Sequence, residues 1–432
     1  MSVARPGRAS VRAIAGTVIC ARGAPPGREP RKVGSPGFLR GSPAARKVSE
    51  SPAAVYIGPV PVPSQPPLEL DGSYGEGGGQ ILRTALSLAA VTGRPFVIDR
   101  IRANRLKSGL RPQHREAARA VARIVNGRLA GDEVGSTRLE FTPRAPPRAG
   151  EWAFDIGTAG STPLLLQTIC WPLALAGGAS AVTLRGGTHQ DHAPSFHYLA
   201  LIWAPAVARL GFRVSVELQA AGFYPEGGGE FTARIEPASP LPPLDLRHRG
   251  TLLEVEVVSM VGGLGYEVAE RQAARAVRRL RDQGIAAEAE RVPVPARGSR
   301  GGHVLIVSSF ERTRAGHGAV TARERSPEET ADLAVDGFRA YLSGGAAVDR
   351  HLGDQLLVPA ALAVAGYPQS PPGVVPAVRY SVSEVTPHLL TNAEVIRRFL
   401  DLDVTVEGRE GEEGEVRVLR RDASADVVPL ER

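Results

Sequence analysis

The segment Glu384-Val-Thr-Pro-His-Leu-Leu-Thr-Asn-Ala-Glu-Val395 joins a strand-like stretch, residues 377–385, to an amphipathic one. Thr386 is a residue type that caps helix N-termini, and Pro387 suits the first helical position. Apolar residues then follow at helical spacing. The sequence therefore predicts a strand, a short loop and a helix with His388 in its first turn.

His388 is a candidate for chemistry because of this position. The first turn of a helix offers unpaired amide donors and a partial positive charge, which suit a phosphate and disfavour a protonated imidazole. A neutral imidazole there can attack phosphorus and form a covalent intermediate. A histidine that only helps to cap the helix is the alternative, and these residues alone leave both readings open.

The same succession of strand, loop and helix occurs earlier in the chain. Helices are predicted in pairs, and the two helix starts of each pair are separated by similar distances. This spacing predicts three copies of a βαβαββ unit of about 75 to 85 residues each, and hence an α/β (α+β) fold. The paired helix starts are Gln80 and Pro112, Ser161 and Pro194, and His351 and His388.

Residues 250–345 interrupt the third unit and carry strand and helix patterns of their own. Ser326 and Glu329 have the spacing of a capping box at the start of a helix. We expect a small inserted α/β domain here. The main domain, with all three repeats, would then comprise residues 67–249 and 346–422.

The positive charge of the chain is unevenly distributed. The 432 residues are 43% hydrophobic and 22% charged, with a formal net charge of +7. Residues 1–66 hold ten Lys or Arg against two Glu, so the rest of the chain carries −1. This Pro-, Gly- and Arg-rich extension is predicted to be disordered, and residues 423–432 to form a flexible tail. Any nucleic-acid site on the folded body must be a local patch.

Two cysteines far apart, Cys20 and Cys170, predict no disulfide framework and a reducing, cytoplasmic environment. Residues 157–184 contain no charged side chain. Glycines divide this stretch and Gln167 interrupts its apolar run, so the pattern favours a buried core helix over a membrane span. We expect no membrane association.

The segment 102–115 is the best local candidate for binding RNA or a phosphate backbone, because it holds five cationic residues. A solvated charged loop is the alternative. The residues proposed for phosphate contacts are Arg102, Arg105, Lys107 and Arg111.

Each of four further polar residues could have one of two roles. Glu76, beside Gly77-Gly78-Gly79, could hold a divalent cation or be a solvated carboxylate. Gln167 needs a partner if buried, either backbone or a ligand's polar edge. Asp354 and Gln355 at a predicted helix start could be caps, or could bind ribose and metal.

Three histidines, His189, His192 and His197, are close in sequence. Their spacing fits no common zinc pattern, and no cysteine is near. The sequence therefore does not favour a metal site there.

Taken together, these segments resemble the RNA 3′-terminal phosphate cyclase family over about residues 68–420. The family implies three repeated units and a small inserted domain with thioredoxin-like elements. The resemblance rests on six motifs in the family's order: Asp-Gly-Ser-Tyr-Gly-Glu-Gly-Gly-Gly-Gln-Ile-Leu-Arg (71–83), Ile-Arg-Ala-Asn-Arg (101–105), Gly-Thr-Ala-Gly-Ser-Thr (157–162), Phe-Tyr-Pro-Glu-Gly-Gly-Gly (223–229), His-Leu-Gly-Asp-Gln-Leu (351–356) and His-Leu-Leu-Thr-Asn (388–392).

The resemblance implies a ligase that uses ATP to convert an RNA 3′-phosphate to a 2′,3′-cyclic phosphate, releasing AMP and pyrophosphate. His388 would be the catalytic residue and would carry AMP covalently. A divalent cation, Mg²⁺ or Mn²⁺, would be required, with Glu76 as its candidate ligand. The RNA 3′ end is the expected partner, and no stable protein partner is predicted.

The resemblance also assigns the residues that would bind ATP or line its cleft. Several belong to the glycine loop, to the second helix of the first unit, or to the helix start at 351–355. The full set is Glu76, Arg83, Gln113, His114, Gln167, Pro194, Phe196, His351, Leu352, Gly353, Asp354 and Gln355.

Two other functions remain as alternatives. Cyclase-like proteins of ribosome biogenesis resemble the family but lack the nucleophilic histidine, so the presence of His388 favours the enzyme. An enolpyruvyl transferase is suggested by fold alone. It would need two large domains of similar size rather than one small insert.

Overall fold

A computed structural model describes residues 66–240, 243–322, 324–371 and 376–421. The predicted basic extension lies outside these ranges except for its last residue, and the predicted tail lies outside them entirely. Within them strands alternate with helices, so the predicted α/β class is confirmed. None of the helices in these ranges is both long enough and apolar enough to span a membrane.

Sixteen strands occur in the described ranges. They are β1 Leu68–Asp71, β2 Phe96–Asp99, β3 Arg128–Ala130, β4 Leu139–Thr142, β5 Glu151–Asp155, β6 Ser180–Gly186, β7 Val214–Ala220, β8 Gly229–Ile235, β9 Leu244–Leu246, β10 Leu252–Gly262, β11 Glu288–Pro293, β12 Gly301–Phe310, β13 Arg314–Val320, β14 Val378–Val382, β15 Leu402–Glu407 and β16 Gly414–Arg420.

The helices of the described ranges lie between these strands. They are α1 Gln80–Thr92, α2 Pro112–Ile124, α3 Thr162–Ala174, α4 Phe196–Tyr198, a π-helical turn Leu199–Trp203, α5 Ala204–Ala208, α6 Tyr266–Arg281, α7 Pro327–Ser343, α8 Arg350–Gln355, α9 Leu357–Val364 and α10 Pro387–Phe399.

Three four-stranded sheets share one topology. Their orders are β1-β2-β4-β3, β5-β6-β8-β7 and β9-β14-β16-β15. In each sheet the first two strands are parallel, and the two following pairs are antiparallel. A parallel pair needs a crossover connection, and a helix supplies it in the first two sheets. In the third sheet the crossover from β9 to β14 contains residues 247–377.

The long third crossover contains a fourth sheet, β11-β10-β12-β13. Helices α6 and α7 pack on it and enclose a core that includes Val257, Ile306 and Phe338. Two of its strands were not predicted. β11 is rich in charged residues and β13 contains two glycines, so neither shows the alternating apolar pattern that identifies a strand.

Helix starts follow the predicted signals. The hydroxyl of Thr386 accepts a hydrogen bond from the amide of Leu389 at 3.1 Å, and Pro387 is the first residue of α10. The predicted capping box of Ser326 and Glu329 is present at the start of α7. These caps depend on residues three positions apart, which is why the sequence identified them.

Two predicted helices are interrupted. The predicted helix 351–364 is two helices, α8 and α9, with Leu356 between them. Pro359 lacks the amide hydrogen that would bond to the carbonyl of Gln355, so the series of helical backbone hydrogen bonds is interrupted there. The predicted helix 194–210 is shorter and contains a π-helical turn, where Pro205 has no amide for the carbonyl of Leu201.

Helices from different units meet around α1. It lies against α3 of the second unit and α10 of the third. Inside this contact the hydroxyl of Thr84 donates to Oδ1 of Asn392 at 2.7 Å. The N-terminus of α10, which carries His388, is thereby held beside residues from elements far away in sequence.

Candidate active site

A cleft of about 400 Å³ lies where α1, α3, α8 and α10 converge. The segment 190–195 and strands β12 and β13 form the opposite wall. The structure thus brings together residues predicted from distant segments. Those that line the cleft are Arg83, Gln167, Pro194, His351, Asp354, Gln355 and His388.

His388 is in the first turn of α10, and its side chain is 45% exposed. Partial burial, together with the nearby cations Arg83 and Arg105, lowers the pKa of its imidazole to about 4. The ring is therefore neutral at pH 7 and has a lone pair available for nucleophilic attack.

Glu76 places a carboxylate beside this ring. Its Oε2 lies 3.6 Å from Nδ1 of His388, and its other oxygen pairs with Arg105. The side chain is only 12% exposed, and Oε2 has no hydrogen-bond partner among the residues that the structure describes. A buried carboxylate oxygen without a donor is a suitable ligand for a divalent cation.

The glycine loop brings Glu76 to α10. The amide of Glu76 donates to Oγ1 of Thr391 at 3.4 Å. Gly79 approaches the second helix closely: a Cβ there would lie 2.4 Å from Nε2 of His114 and 2.7 Å from the guanidinium of Arg83. Only glycine fits this position without displacing both side chains.

Arg83 and Asp354 are partly buried charged groups in the cleft. Burial lowers the pKa of Arg83 to about 10, and burial raises the pKa of Asp354 to about 7, against the opposing effect of Arg83. Arg83 also donates to Oε1 of Gln80 at 2.7 Å. A guanidinium with low solvent access is well placed to bind a phosphate oxygen.

Gln167 and Gln355 join the second and third units across the cleft. Nε2 of Gln167 donates to Oε1 of Gln355 at 2.8 Å. The amide of Gln167 therefore has a side-chain partner, whereas the sequence suggested either backbone or a ligand's polar edge. Because both residues line the cleft, the pair can also present an acceptor and a donor to a ligand.

Asn392 is a site residue to which the sequence gave no role. It is fully buried, and its Nδ2 donates to the backbone carbonyl of Asp354 at 2.9 Å while Oδ1 accepts from Thr84. One amide thus ties α1, α8 and α10 together at the floor of the cleft. A buried asparagine in a helix could have been noticed, but its partners could not.

Asp349 was also missed. Its fully buried Oδ1 accepts from the amides of His351 and Leu352, both at 3.0 Å, and so caps α8. The same carboxylate accepts from the hydroxyl of Tyr198 at 2.8 Å and from the amide of Gly316 at 3.3 Å. An aspartate before a helix start is a recognisable cap signal. Its contacts to the second unit and the inserted sheet are not.

Several predicted ATP contacts do not line the cleft. Oε1 of Gln113 accepts from the amide of Ser161 at 2.9 Å, and Nδ1 of His114 accepts from the amide of Arg111 at 3.1 Å. The side chains of Leu352 and Phe196 are fully buried in the core. These residues shape the walls of the site, and their contact with a nucleotide remains a prediction.

Gly353 is buried as well, for a packing reason. A Cβ at this position would lie 2.9 Å from Cγ1 of Val382, so α8 can pack on β14 only with glycine there. Its predicted contact with ATP is not tested by this arrangement.

Several cationic side chains of the predicted basic segment, residues 102–115, already bond to other groups of the protein. Arg102 donates to the carbonyls of Lys107 and Gly109, at 2.6 and 3.3 Å, and holds the loop closed. Arg105 pairs with Glu76, and Arg111 precedes α2 as its N-cap. Lys107 is exposed. This loop borders the glycine loop, which places Arg105 near His388.

A family model described as RNA 3′-terminal phosphate cyclase matches residues 74–406. The chain belongs to the RNA 3′-terminal phosphate cyclase family. The match includes the glycine loop, the cleft residues and His388. The family and enzyme class predicted from the sequence are confirmed, and the enolpyruvyl transferase alternative is not supported.

Proteins named RNA 3′-terminal phosphate cyclase from several bacteria are similar to this chain over most of their length. The protein of Methylococcus capsulatus is 43% identical over 339 residues, which cover 77% of this chain and 91% of that protein. The protein of Trichormus variabilis is 41% identical over 342 residues, covering 77% and 94%. The Salmonella enteritidis protein is 39% identical over 343 residues, covering 79% and 96%.

Proposed function

We propose that this chain converts an RNA 3′-terminal phosphate to a 2′,3′-cyclic phosphodiester, using ATP and a covalent histidine–AMP intermediate on His388. One observation carries the proposal. A half-exposed, neutral imidazole lies at a helix N-terminus in a cleft lined by cations, beside a buried carboxylate. That is the arrangement required to attack a nucleotide phosphate.

In the first step, a ring nitrogen of His388 attacks the α-phosphorus of ATP. A P–N bond forms, the bond to the β-phosphate bridging oxygen breaks, and pyrophosphate leaves. Glu76 is close to Nδ1, so a proton on Nδ1 can point towards its carboxylate while Nε2 attacks. The separation of 3.6 Å is longer than a hydrogen bond and has to shorten when the nucleotide binds.

The cations around His388 favour the same step. Arg83 lines the cleft, and Arg350 lies beside it in an ion pair with Glu384 at 3.0 Å. A pentavalent phosphorus centre accumulates negative charge on its oxygens, which fixed guanidinium groups and helix-end amides stabilise. Burial, and to a smaller extent the same cations, lowers the pKa of the unliganded imidazole.

Two further transfers complete the reaction. An oxygen of the RNA 3′-phosphate attacks the adenylyl phosphorus, the P–N bond breaks, and His388 is regenerated. The neighbouring 2′-hydroxyl then attacks the 3′-phosphorus, loses its proton, and displaces AMP. This last step is intramolecular, so correct positioning supplies much of its rate.

Glu76 fits a catalytic divalent cation because its Oε2 is buried without a donor. Such an ion, Mg²⁺ or Mn²⁺, would offset charge on the phosphate oxygens. Glu76 would hold it, and Arg105 would keep the carboxylate turned towards the cleft.

Gln167, Gln355, Asp354 and His351 would bind the nucleoside part of ATP. All four line the cleft. Paired amides suit the donor and acceptor edge of a base, and a carboxylate suits ribose hydroxyls. The existing hydrogen bond between Gln167 and Gln355 supports a preformed site, because little reorganisation of these two side chains is needed on binding.

Incubation of the chain with α-labelled ATP and Mg²⁺ or Mn²⁺, without RNA, tests the proposal. The wild type should retain label that is stable to base and labile to acid, as expected for a P–N bond. The variant His388→Ala should retain none. The exposed His248, outside the cleft, provides a matched control: His248→Ala should be labelled like the wild type.

The non-catalytic alternative, a cyclase-like protein of ribosome biogenesis, predicts a different result. It would show no labelling in the wild type and no phosphatase-resistant RNA end after incubation with a 3′-phosphorylated oligonucleotide. Either finding in a folded wild-type chain would exclude the proposed reaction.

A further inference from the structure

Three buried histidines form a cluster that the proposed reaction does not use. His189 follows β6, His197 lies in α4, and His303 lies in β12 of the inserted sheet. One ring nitrogen of each lies within 4.8 Å of the others, and the side chains are 0%, 4% and 3% exposed. His192, grouped with two of them in the sequence, lines the cleft instead.

The hydrogen bonds of the cluster are incomplete. Nδ1 of His189 bonds to Oγ1 of Thr188 at 2.8 Å, and Nε2 bonds to Nδ1 of His197 at 2.8 Å. Within the described ranges, Nε2 of His197 and Nδ1 of His303 have no hydrogen-bond partner. Buried polar nitrogens without partners are rare and are commonly satisfied by an ion or water.

The rings are in the form that binds metals. Burial lowers the pKa of His197 to about 4 and that of His303 to about 3, and lowers the pKa of His189 strongly as well. All three are therefore neutral at pH 7 and offer lone pairs. Thr188 has the role of an outer-shell partner, because it orients the ring of His189.

We propose that His189, His197 and His303 bind one zinc ion that links the inserted sheet to the second repeated unit. Imidazole ligands favour zinc over magnesium and calcium, which prefer oxygen. Nitrogen ligands about 2 Å from a tetrahedral zinc lie about 3.3 Å apart, so small ring movements would close the cluster. His303 also lines the cleft, so the proposed ion would lie at the cleft wall.

This site is separate from the cation proposed at Glu76, and it does not depend on the proposed reaction. Its three ligands come from segments on both sides of the boundary at residue 250. A bound zinc would fix the wall of the cleft formed by 190–195 and β12. Its effect would therefore be on stability and on the position of this wall.

Metal analysis of the full-length chain, purified without a histidine tag and dialysed after equilibration with zinc, tests the proposal. We expect close to one zinc per chain. Substitution of cobalt for zinc should give the intense visible absorption of four-coordinate cobalt. The melting temperature of the wild type should rise by several degrees with zinc.

Three groups of variants separate the possible binding sites. His303→Asn and His197→Asn should lose the tightly bound metal and the zinc-dependent rise in melting temperature. His248→Asn, an exposed control, should keep both. Glu76→Gln and His388→Asn should also keep both, because they alter only the proposed catalytic site.

Zinc below about one tenth of an equivalent in the folded wild type would overturn the proposal. Retention of zinc by His303→Asn with loss in Glu76→Gln would also overturn it, since the ion would then belong to the catalytic cleft. If a histidine variant does not fold, the cobalt spectrum of the wild type still tests the proposal. A weakly absorbing, octahedral cobalt ion would contradict the proposed site. Adenylylation of His388 can succeed or fail independently of each result.

Discussion

Nδ1 of His388 lies 3.6 Å from Oε2 of Glu76, although the two residues come from opposite ends of the described chain. Glu76 is in the glycine loop of the first unit, and His388 is in the first turn of α10 in the third. The hydrogen bond from the amide of Glu76 to Thr391 keeps the two elements together. This contact gives the imidazole a carboxylate that can hold a proton on one nitrogen while the other attacks.

Glu76→Gln should lower the rate of adenylylation about 100-fold, because the amide cannot stabilise the proton on Nδ1 or ligate a cation as well as a carboxylate. Single-turnover labelling with α-labelled ATP measures the rate. The control Glu69→Gln changes a carboxylate on β1, outside the cleft, and should leave the rate unchanged. A wild-type rate in Glu76→Gln would show that the contact has no catalytic role.

The pH dependence of adenylylation should reflect the low pKa of His388. The pKa is about 4, below the ordinary value of 6.5, so the neutral nucleophile persists as the pH falls from 8 to about 5. The acidic fall of kcat/KM for ATP, which reports the free enzyme, should therefore occur below about pH 5. The fall of kcat should occur at higher pH, because bound triphosphate raises the pKa of the ring.

Arg350→Gln provides a check on the cause of this shift. Arg350 contributes less than burial, Arg83 or Arg105, so its removal should move the acidic fall to higher pH by less than one unit. An acidic fall of the wild-type kcat/KM centred near 6.5 would contradict the assignment of a low pKa to the nucleophile.

Asn392→Ala should reduce both stability and activity. The substitution leaves the Thr84 hydroxyl and the Asp354 carbonyl without their partner, at a cost of about 2 to 4 kcal/mol in the free energy of unfolding. Since α1, α8 and α10 lose their common bond, we also expect activity to fall at least tenfold at temperatures where the variant is folded. Urea unfolding and single-turnover labelling provide the measurements.

Thr84→Val is the matched control for Asn392. It removes the donor to Oδ1 of Asn392 and the acceptor of a 3.3 Å hydrogen bond from Nε2 of Gln80, and it keeps the bond to Asp354, so it should cost about 1 kcal/mol and little activity. Equal losses of activity in the two variants would mean that the contact to Asp354 does not position the site.

Gln167→Ala and Gln355→Ala should each raise the KM for ATP about tenfold and leave kcat nearly unchanged. The two amides pair across the cleft and present their remaining groups to it, so their loss removes binding shared by ground and transition states. In the double variant the effects should not add, because the residues act as a pair. A change in stability alone, with unchanged KM, would indicate a purely structural pair.

Lys107→Ala should weaken binding of a 3′-phosphorylated oligonucleotide and lower the salt dependence of its affinity. If Lys107 contacts one phosphate of a single strand, the slope of log K against log salt should fall by about 0.7. Arg339→Ala changes an exposed cation on α7 of the inserted sheet and should leave the slope unchanged. Equal slopes for Lys107→Ala and the wild type would place RNA elsewhere.

Local sequence determined much of this protein. The bounds of α1 match the prediction, and the start of α10 follows from Thr386 and Pro387, since caps and turns depend on residues within four positions of each other. The position of His388 in a first helical turn was therefore predictable. Family motifs then indicated Glu76, Arg83, Asp354 and Gln355 as its neighbours.

Tertiary structure alone decided which side chains meet. Asn392 bonds to α1 and α8, Asp349 joins three elements, and His303 completes a cluster with His189 and His197. These contacts join residues that are far apart in sequence or lie on different elements, so neither hydrophobic periodicity nor residue spacing in the sequence predicts them. They depend on how the helices and the inserted sheet pack, and that packing brings predictable elements together into a cleft that contains a neutral imidazole.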